Sequence, residues 1–136
     1  MCKIYVASSW RNEIHNIVVQ ALQRWGHEVY DFKNPPSRTG FSWAHIDNKW
    51  QNWNTTQYRE ALNHPLAVAG FNSDFNAMKW ADICIMVLSA HTEAGWMKGV
   101  GKVVYVVQFS TEQPELMYKI YDGIISSYDE LTKMFS

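Results

Sequence analysis

Residues 81–102 read ADICIMVLSAHTEAGWMKGVGK. Residues 83–88 are an unbroken apolar run, as a strand covered on both faces requires. A short loop follows, then a helical stretch. Thr92 is placed to be its N-cap, and Gly99 and Gly101 are placed to end it. Glu93 then stands in the first helical turn. In open parallel sheets, ligands bind beyond the carboxyl ends of the strands, and Glu93 falls at such an end. The helix dipole favours its ionised form. Two readings are open. The carboxylate is a nucleophile or base at the mouth of a sheet, or it only stabilises its own helix.

Working outward, residues 3–7 predict the first strand and residues 8–12 (SSWRN) a turn. A helix is expected over residues 13–25, with Ile14, Ile17, Val18, Ala21, Leu22 and Trp25 on one face and Gly26 as its stop. Residues 27–32 form the second strand. A strand–helix–strand unit implies parallel strands with a right-handed crossover. Residues 34–40 are a loop broken by Pro35, Pro36 and Gly40. In residues 41–53, Trp43, Ile46, Trp50 and Trp53 recur at helical spacing. They predict one helix face, used either for packing or as a lid over a flat ligand. Residues 58–63 read as a short helical turn before Pro65. Residues 66–80 carry a second helical pattern, interrupted near Gly70 and Asn72, with Asp74 inside it.

After the third strand (residues 83–88) come a fourth at residues 102–107, a helical stretch at 114–121 and a short fifth strand at 123–125. Ser127 with Glu130 resembles a capping box for a last helix. This alternation implies an α/β three-layer sandwich with a central, mainly parallel sheet, flavodoxin- or Rossmann-like. Strands one, three and four should be innermost, because their apolar runs are the most continuous. The expected organisation is one domain over residues 1–136, with an aromatic-rich insertion at about 34–64.

At 136 residues the chain is long enough for one domain with a real core. A net charge of −1 gives no basic excess for a nucleic acid polymer, although a local phosphate pocket stays open. Cys2 and Cys84 are the only cysteines. One lies beside the start and the other in a buried strand, which argues against a disulfide framework and fits a reducing, cytoplasmic setting. The start shows no charged region followed by a long apolar run, so no signal peptide is expected. No stretch reaches the roughly 18 apolar residues of a membrane span.

The turn after the first strand offers Ser8, Ser9, the Arg11 guanidinium and backbone amides at a helix start. That set suits an anion such as a phosphate. It lacks both the Gly-x-Gly-x-x-Gly and the Gly-Lys-Ser/Thr patterns. The alternative is that Ser9 caps the helix and Arg11 is solvated. Asp74 and Glu93 are a candidate carboxylate pair, one before and one after the third strand. Asp82 lies at that strand's amino end, away from them. His15, His27, His45, His64 and His91 lack the spacing of a metal motif, so no metal is expected. His91, two residues before Glu93, either faces a pocket or is an exposed loop residue. No serine sits in a nucleophile-elbow pattern.

Three segments together resemble the nucleoside 2-deoxyribosyltransferase superfamily: KIYVASSWRNE at the start, NSDFNAMKWADICIMVL in the middle and HTEAGWMKGVGKVVYVV after it. The resemblance runs from the first strand to the fourth. It implies that Glu93 is the nucleophile, that Asp74 binds or protonates the leaving base, and that Tyr5 orients the glutamate. The superfamily includes deoxynucleoside 5′-monophosphate N-glycosidases, whose first-loop serine and arginine contact the phosphate and match Ser9 and Arg11. His91 and Thr92 replace the family's Gly- and Ser- or Asp-containing approach to the glutamate.

The resemblance further implies a retaining displacement with no cofactor, a small nucleoside or nucleotide substrate, and a homo-oligomer whose subunits complete one another's pockets. Nucleophile and acid would stand about 5 Å apart, as in retaining glycosidases. Ser8, Ser9, Arg11 and His91 are the expected substrate contacts, beside Tyr5, Asp74 and Glu93 as catalytic groups. Two other functions compete. One is a nucleotide-binding module without turnover, and the other is an interaction protein using a Trp-rich surface.

Overall fold

The computed structural model describes residues 1–36, 39–110 and 114–136. Five strands form one parallel sheet in the order β2-β1-β3-β4-β5, with β1 at Lys3–Ser8, β2 at Glu28–Asp31, β3 at Ile83–Val87, β4 at Val103–Val107 and β5 at Gly123–Ile125. Strands one, three and four are the inner ones, as their apolar runs imply. The register sets Tyr5 beside Cys84 and Ser8 beside Val87.

Alternation along the strands divides the core in two, because successive side chains point to opposite faces. Ile4 and Val6 join Val18, Leu22, Ile85, Val87, Leu131 and Phe135 on one face. Tyr5 and Ala7 join Ala77, Met78, Cys84, Met86, Ala94 and Met97 on the other. Helices α1 (Ile14–Arg24) and α5 (Tyr128–Phe135) therefore cover the first face, and α3 (Pro65–Trp80) and α4 (His91–Gly99) the second. This is a three-layer α/β sandwich. No helix of the described residues is long and apolar enough to cross a membrane.

Four local expectations are corrected. Residues 41–53 do not form a helix. They hold two short 3-10 turns, Trp43–His45 and Trp50–Asn52. Between them Asp47 accepts hydrogen bonds from the Lys49 amide at 2.9 Å and the Trp53 indole at 2.9 Å. A side chain that bonds locally in this way competes with helix formation. The Trp43 ring instead packs edge-on against Phe41, Trp53 and Tyr58.

Helix α3 runs unbroken through Gly70 and Asn72. Gly70 is a packing position, because a Cβ there would lie 2.9 Å from that of Phe41. Thr92 is not the N-cap of α4. The cap is Ala90, without a side-chain hydrogen bond. The capping box at α5 is half formed: Ser127 accepts from the Glu130 amide at 3.2 Å, while the Glu130 carboxylate takes the Ser126 hydroxyl.

Elsewhere the boundaries move by one to three residues. The short turn before Pro65 is a helix, α2 at Thr55–Ala61, with a capping box of Asn54 and Gln57. The stretch near residue 118 is a 3-10 helix, Leu116–Ile120. The loop expected at residues 34–40 falls partly on residues 37–38, outside the described residues.

Candidate active site

The chain leaves β1 for β2 on one side and returns through β3 on the other, so the order reverses between β1 and β3. Such a switch point opens a crevice at the carboxyl ends of the two strands. Glu93 enters it from the first turn of α4. Asp74 enters from α3, which packs on the same face of the sheet.

Two adjoining cavities lie there. The first, of about 310 Å³, is lined by Tyr5, Phe71, Asp74, Phe75, Met78, Thr92, Glu93 and Trp96. The second, of about 190 Å³, is lined by Tyr5, Ala7, Ser8, Trp10, Phe32, Asp74 and Glu93. Tyr5, Asp74 and Glu93 line both and so stand where the two meet. The larger of the two is lined by aromatic rings. Phe71 stacks on Phe75 at 5.3 Å, and Phe75 meets Trp96 edge-on at 4.9 Å. A more open groove of about 600 Å³ runs along the outer side of α3 and β2. Glu28 is the one charged side chain among its described lining residues, and it is exposed. Two carboxyl groups at the carboxyl ends of β1 and β3, not size, mark the Glu93 cavities as the candidate site.

Burial raises the pKa of Glu93. Its own backbone amide opposes the shift, the Asp74 carboxylate adds to it, and His91 lowers it. Burial likewise pushes the Tyr5 phenol far above its ordinary range, reinforced by Asp74 and Glu93, so Tyr5 stays protonated and can act as a donor. Its ring stacks on Tyr30 at 5.4 Å. No hydrogen bond joins Tyr5 to Glu93 among the described residues. The Cys84 thiol beneath them is pushed up to about 12 by burial and by Glu93, which keeps it an unreactive thiol.

The other expected contacts are placed differently from one another. Ser8 is buried and lines the smaller cavity. Ser9 and Arg11 lie on the exposed turn and line neither cavity. The His91 ring turns to Tyr118, with Nε2 and the phenol oxygen 2.9 Å apart, and lines neither cavity. Among the described residues, no three His, Cys, Asp or Glu side chains group to hold a metal ion.

Three features were not foreseen. The Tyr30 hydroxyl donates to Asp74 Oδ1 at 2.7 Å and lies 2.7 Å from Ser73 Oγ, which ties the Asp74 carboxylate to β2. Asn12, in place of Ser9, starts α1: its Oδ1 accepts from the amides of Ile14 at 2.9 Å and His15 at 3.1 Å. Its amide nitrogen donates to the carbonyls of Val87 and Leu88, joining the start of α1 to the end of β3. The third is a buried chain, Ser8–His15–Asp31, with contacts of 2.7 and 2.8 Å. Burial raises the Asp31 pKa, but hydrogen bonds from His15, Asn34 and the Lys33 amide outweigh it and hold the carboxyl at about 2.

No family model and no curated protein matches this chain. Among solved structures it is similar to a 2-deoxyribosyltransferase from the psychrotolerant bacterium Bacillus psychrosaccharolyticus. The two are 21% identical, the alignment covers 94% of this chain and 88% of that one, and the TM-score is 0.62. The neighbour is described as a biocatalyst for the synthesis of nucleosides. By this measure the chain has the 2-deoxyribosyltransferase fold, the fold its sequence resemblance implied.

Proposed function

We propose that the protein breaks the N-glycosidic bond of a nucleoside or nucleotide and passes the sugar to a second base or to water. The observation that carries this is the position of Glu93 and Asp74: two carboxyl groups from different helices line both of two adjoining cavities. A planar base suits the aromatic cavity of Phe71, Phe75 and Trp96, and the sugar suits the smaller cavity beside Ser8. The bond between them then lies at Glu93.

A Glu93 oxygen attacks the anomeric carbon, and the carbon–nitrogen bond breaks with its electron pair going to the base. The two carboxyl groups share one proton: Glu93 attacks as the carboxylate, and Asp74, carrying the proton, holds the base and gives that proton to its nitrogen. The product is a glycosyl ester on Glu93. A nitrogen of a second base, or a water oxygen, attacks the same carbon, its proton passes to Asp74, and the ester bond breaks to restore the carboxylate. Two inversions leave the configuration retained. Splitting the reaction in this way replaces one hard step by two easier ones. The Tyr5 hydroxyl, held protonated, is a donor for the Glu93 side of the site.

The experiment is incubation with a panel of nucleosides and 5′-monophosphates, with and without a second base, followed by chromatography. Free base or an exchanged nucleoside is expected. Binding of nucleotides with neither product would replace the enzyme by a non-catalytic binding module.

A further inference from the structure

We propose that Tyr30 is a positioning residue for Asp74: its hydroxyl holds the Asp74 carboxyl in place and stabilises the carboxylate that remains when the proton goes to the base. This rests on the reading of Asp74 as the acid and adds to it the group that supports that acid from β2.

The parallel register sets Tyr30 of β2 beside Tyr5 of β1. Both side chains leave the sheet on the face that α3 and α4 cover, and their rings stack at 5.4 Å with 16° between the planes. Tyr30 is buried, and a buried ring stacked on its neighbour has little freedom, so its hydroxyl is a fixed point. Asp74 comes to this face on α3. The Tyr30 hydroxyl donates to Asp74 Oδ1 at 2.7 Å, and Ser73 Oγ lies 2.7 Å from the same phenol oxygen. Asp74 lines both cavities, so whatever holds its carboxyl acts on the site.

The bond serves both protonation states of Asp74. An ionised carboxylate only accepts. Tyr30 then donates to Oδ1, and Ser73 donates to the phenol oxygen, whose one hydrogen is spent. A protonated Asp74 carries its hydrogen on either oxygen. On Oδ2 it leaves that arrangement intact. On Oδ1 it is donated to the phenol oxygen, and Tyr30 turns its own hydrogen to Ser73. In every arrangement phenol and carboxyl stay bonded, so the carboxyl is held throughout the transfer. The strength differs between the states, because a hydrogen bond to an ion is about twice as strong as a neutral one. When the proton passes from Asp74 to the base nitrogen, the carboxylate accepts from Tyr30, and Tyr30 keeps its own hydrogen. Tyr30 thus favours the transferred state. Among the described residues, Tyr5 of β1 and Glu93 of α4 are the other titratable groups that act on Asp74, with Cys84 of β3 beside Glu93 and the His91 ring turned to Tyr118. Burial keeps Tyr5 and Cys84 neutral, so Glu93 is the group that titrates together with Asp74.

The test compares the native protein, Tyr30→Phe and Ser73→Ala. The substrates are the nucleoside that the native protein turns over fastest and, where its base is a purine or cytosine, the ring-methylated cation of that nucleoside, whose base departs without needing a proton. Tyr30→Phe keeps the ring and its stack on Tyr5 and removes the hydroxyl alone. On the ordinary nucleoside it should lower kcat about ten- to hundredfold at nearly unchanged KM. It should also move the alkaline limb of the pH–rate profile, where the carboxyl pair loses its last proton, upward by about one pH unit. On the methylated cation the loss in kcat should shrink to less than about threefold. Ser73→Ala leaves Tyr30 its bond to Asp74 but removes a donor to the phenol, and should move the limb in the same direction by less. An unmoved alkaline limb in Tyr30→Phe overturns the proposal, as does an equal loss on both substrates. If Tyr30→Phe fails to fold, Ser73→Ala decides by its alkaline limb, since alanine is well tolerated inside a helix. Absence of turnover of every nucleoside by the native protein sinks the enzyme reading and this role with it, whereas turnover that Tyr30→Phe leaves unchanged sinks only the role of Tyr30.

Discussion

Glu93 meets opposing demands, since burial and the Asp74 charge raise its pKa while the proposed chemistry needs it ionised. The rate should therefore fall as pH drops through a value above the ordinary carboxylate range. The same shift has a stability consequence. A carboxyl whose folded pKa is raised contributes stability below its unfolded pKa, and loses it as pH rises through the folded value. At neutral pH the charge is thus a cost to the fold. Glu93→Gln should lower base release on the order of a thousandfold or more yet melt at a higher temperature than the native protein at pH 7. That thermal advantage should disappear near pH 4. A native rate in Glu93→Gln would rule out the covalent step. Asp31 has the opposite sign. Its folded pKa of about 2 lies below the ordinary aspartate value, so its contribution is present above the unfolded value and lost as pH falls toward 2. Asp31→Ala should lower the unfolding free energy at pH 7 in urea titrations, and the deficit should shrink in acid.

At the scale of elements, Asn12 and Gly70 each join two segments. Asn12 caps the start of α1 and holds the carbonyls at the end of β3, across the crevice that contains the candidate site. Asn12→Ala removes both sets of bonds and should cost about 1–2 kcal/mol. Hydrogen exchange should locate the loosening at the first turn of α1 and the residues after β3. Gly70 tests whether the aromatic segment is packed on α3. Within a helix, alanine is normally favoured over glycine by about 1 kcal/mol. Here the added Cβ meets Phe41, in the chain before the first 3-10 turn. Gly70→Ala should therefore lower the melting temperature, and adding Phe41→Ala should recover part of the loss. A stabilised single variant would show that Phe41 yields freely and that the contact is incidental.

At the scale of the molecule, large apolar side chains stay exposed at one sheet edge. Leu116, Met117 and Ile120 on the last 3-10 helix and Ile124 on β5 are all about half exposed or more. A monomer has no use for such a row, whereas a subunit interface does. We expect a homo-oligomer in sedimentation at micromolar concentration, and dissociation by Ile124→Asp with Leu116→Asp. A native protein that sediments as a monomer would count against it.

The sequence by itself determined the strands, the inner positions of β1, β3 and β4, and the two-faced core, because these follow from apolar periodicity along a single stretch. It also brought out Tyr5, Asp74 and Glu93 through their place in a resembling pattern, although only folding sets α3 beside α4 and so puts the two carboxyl groups on the same cavities. Tertiary structure alone decided the rest. The spacing of Trp43, Ile46, Trp50 and Trp53 fits a helix, but Asp47 takes local hydrogen bonds that end it. Gly70 looks like a break until Phe41 is seen against it. His91 turns from the cavities because Tyr118, 27 residues on, offers a partner. Ser8, His15 and Asp31 share no sequence pattern. They meet because β1, α1 and β2 pack together, and in a buried space each polar group must find its partner within the protein.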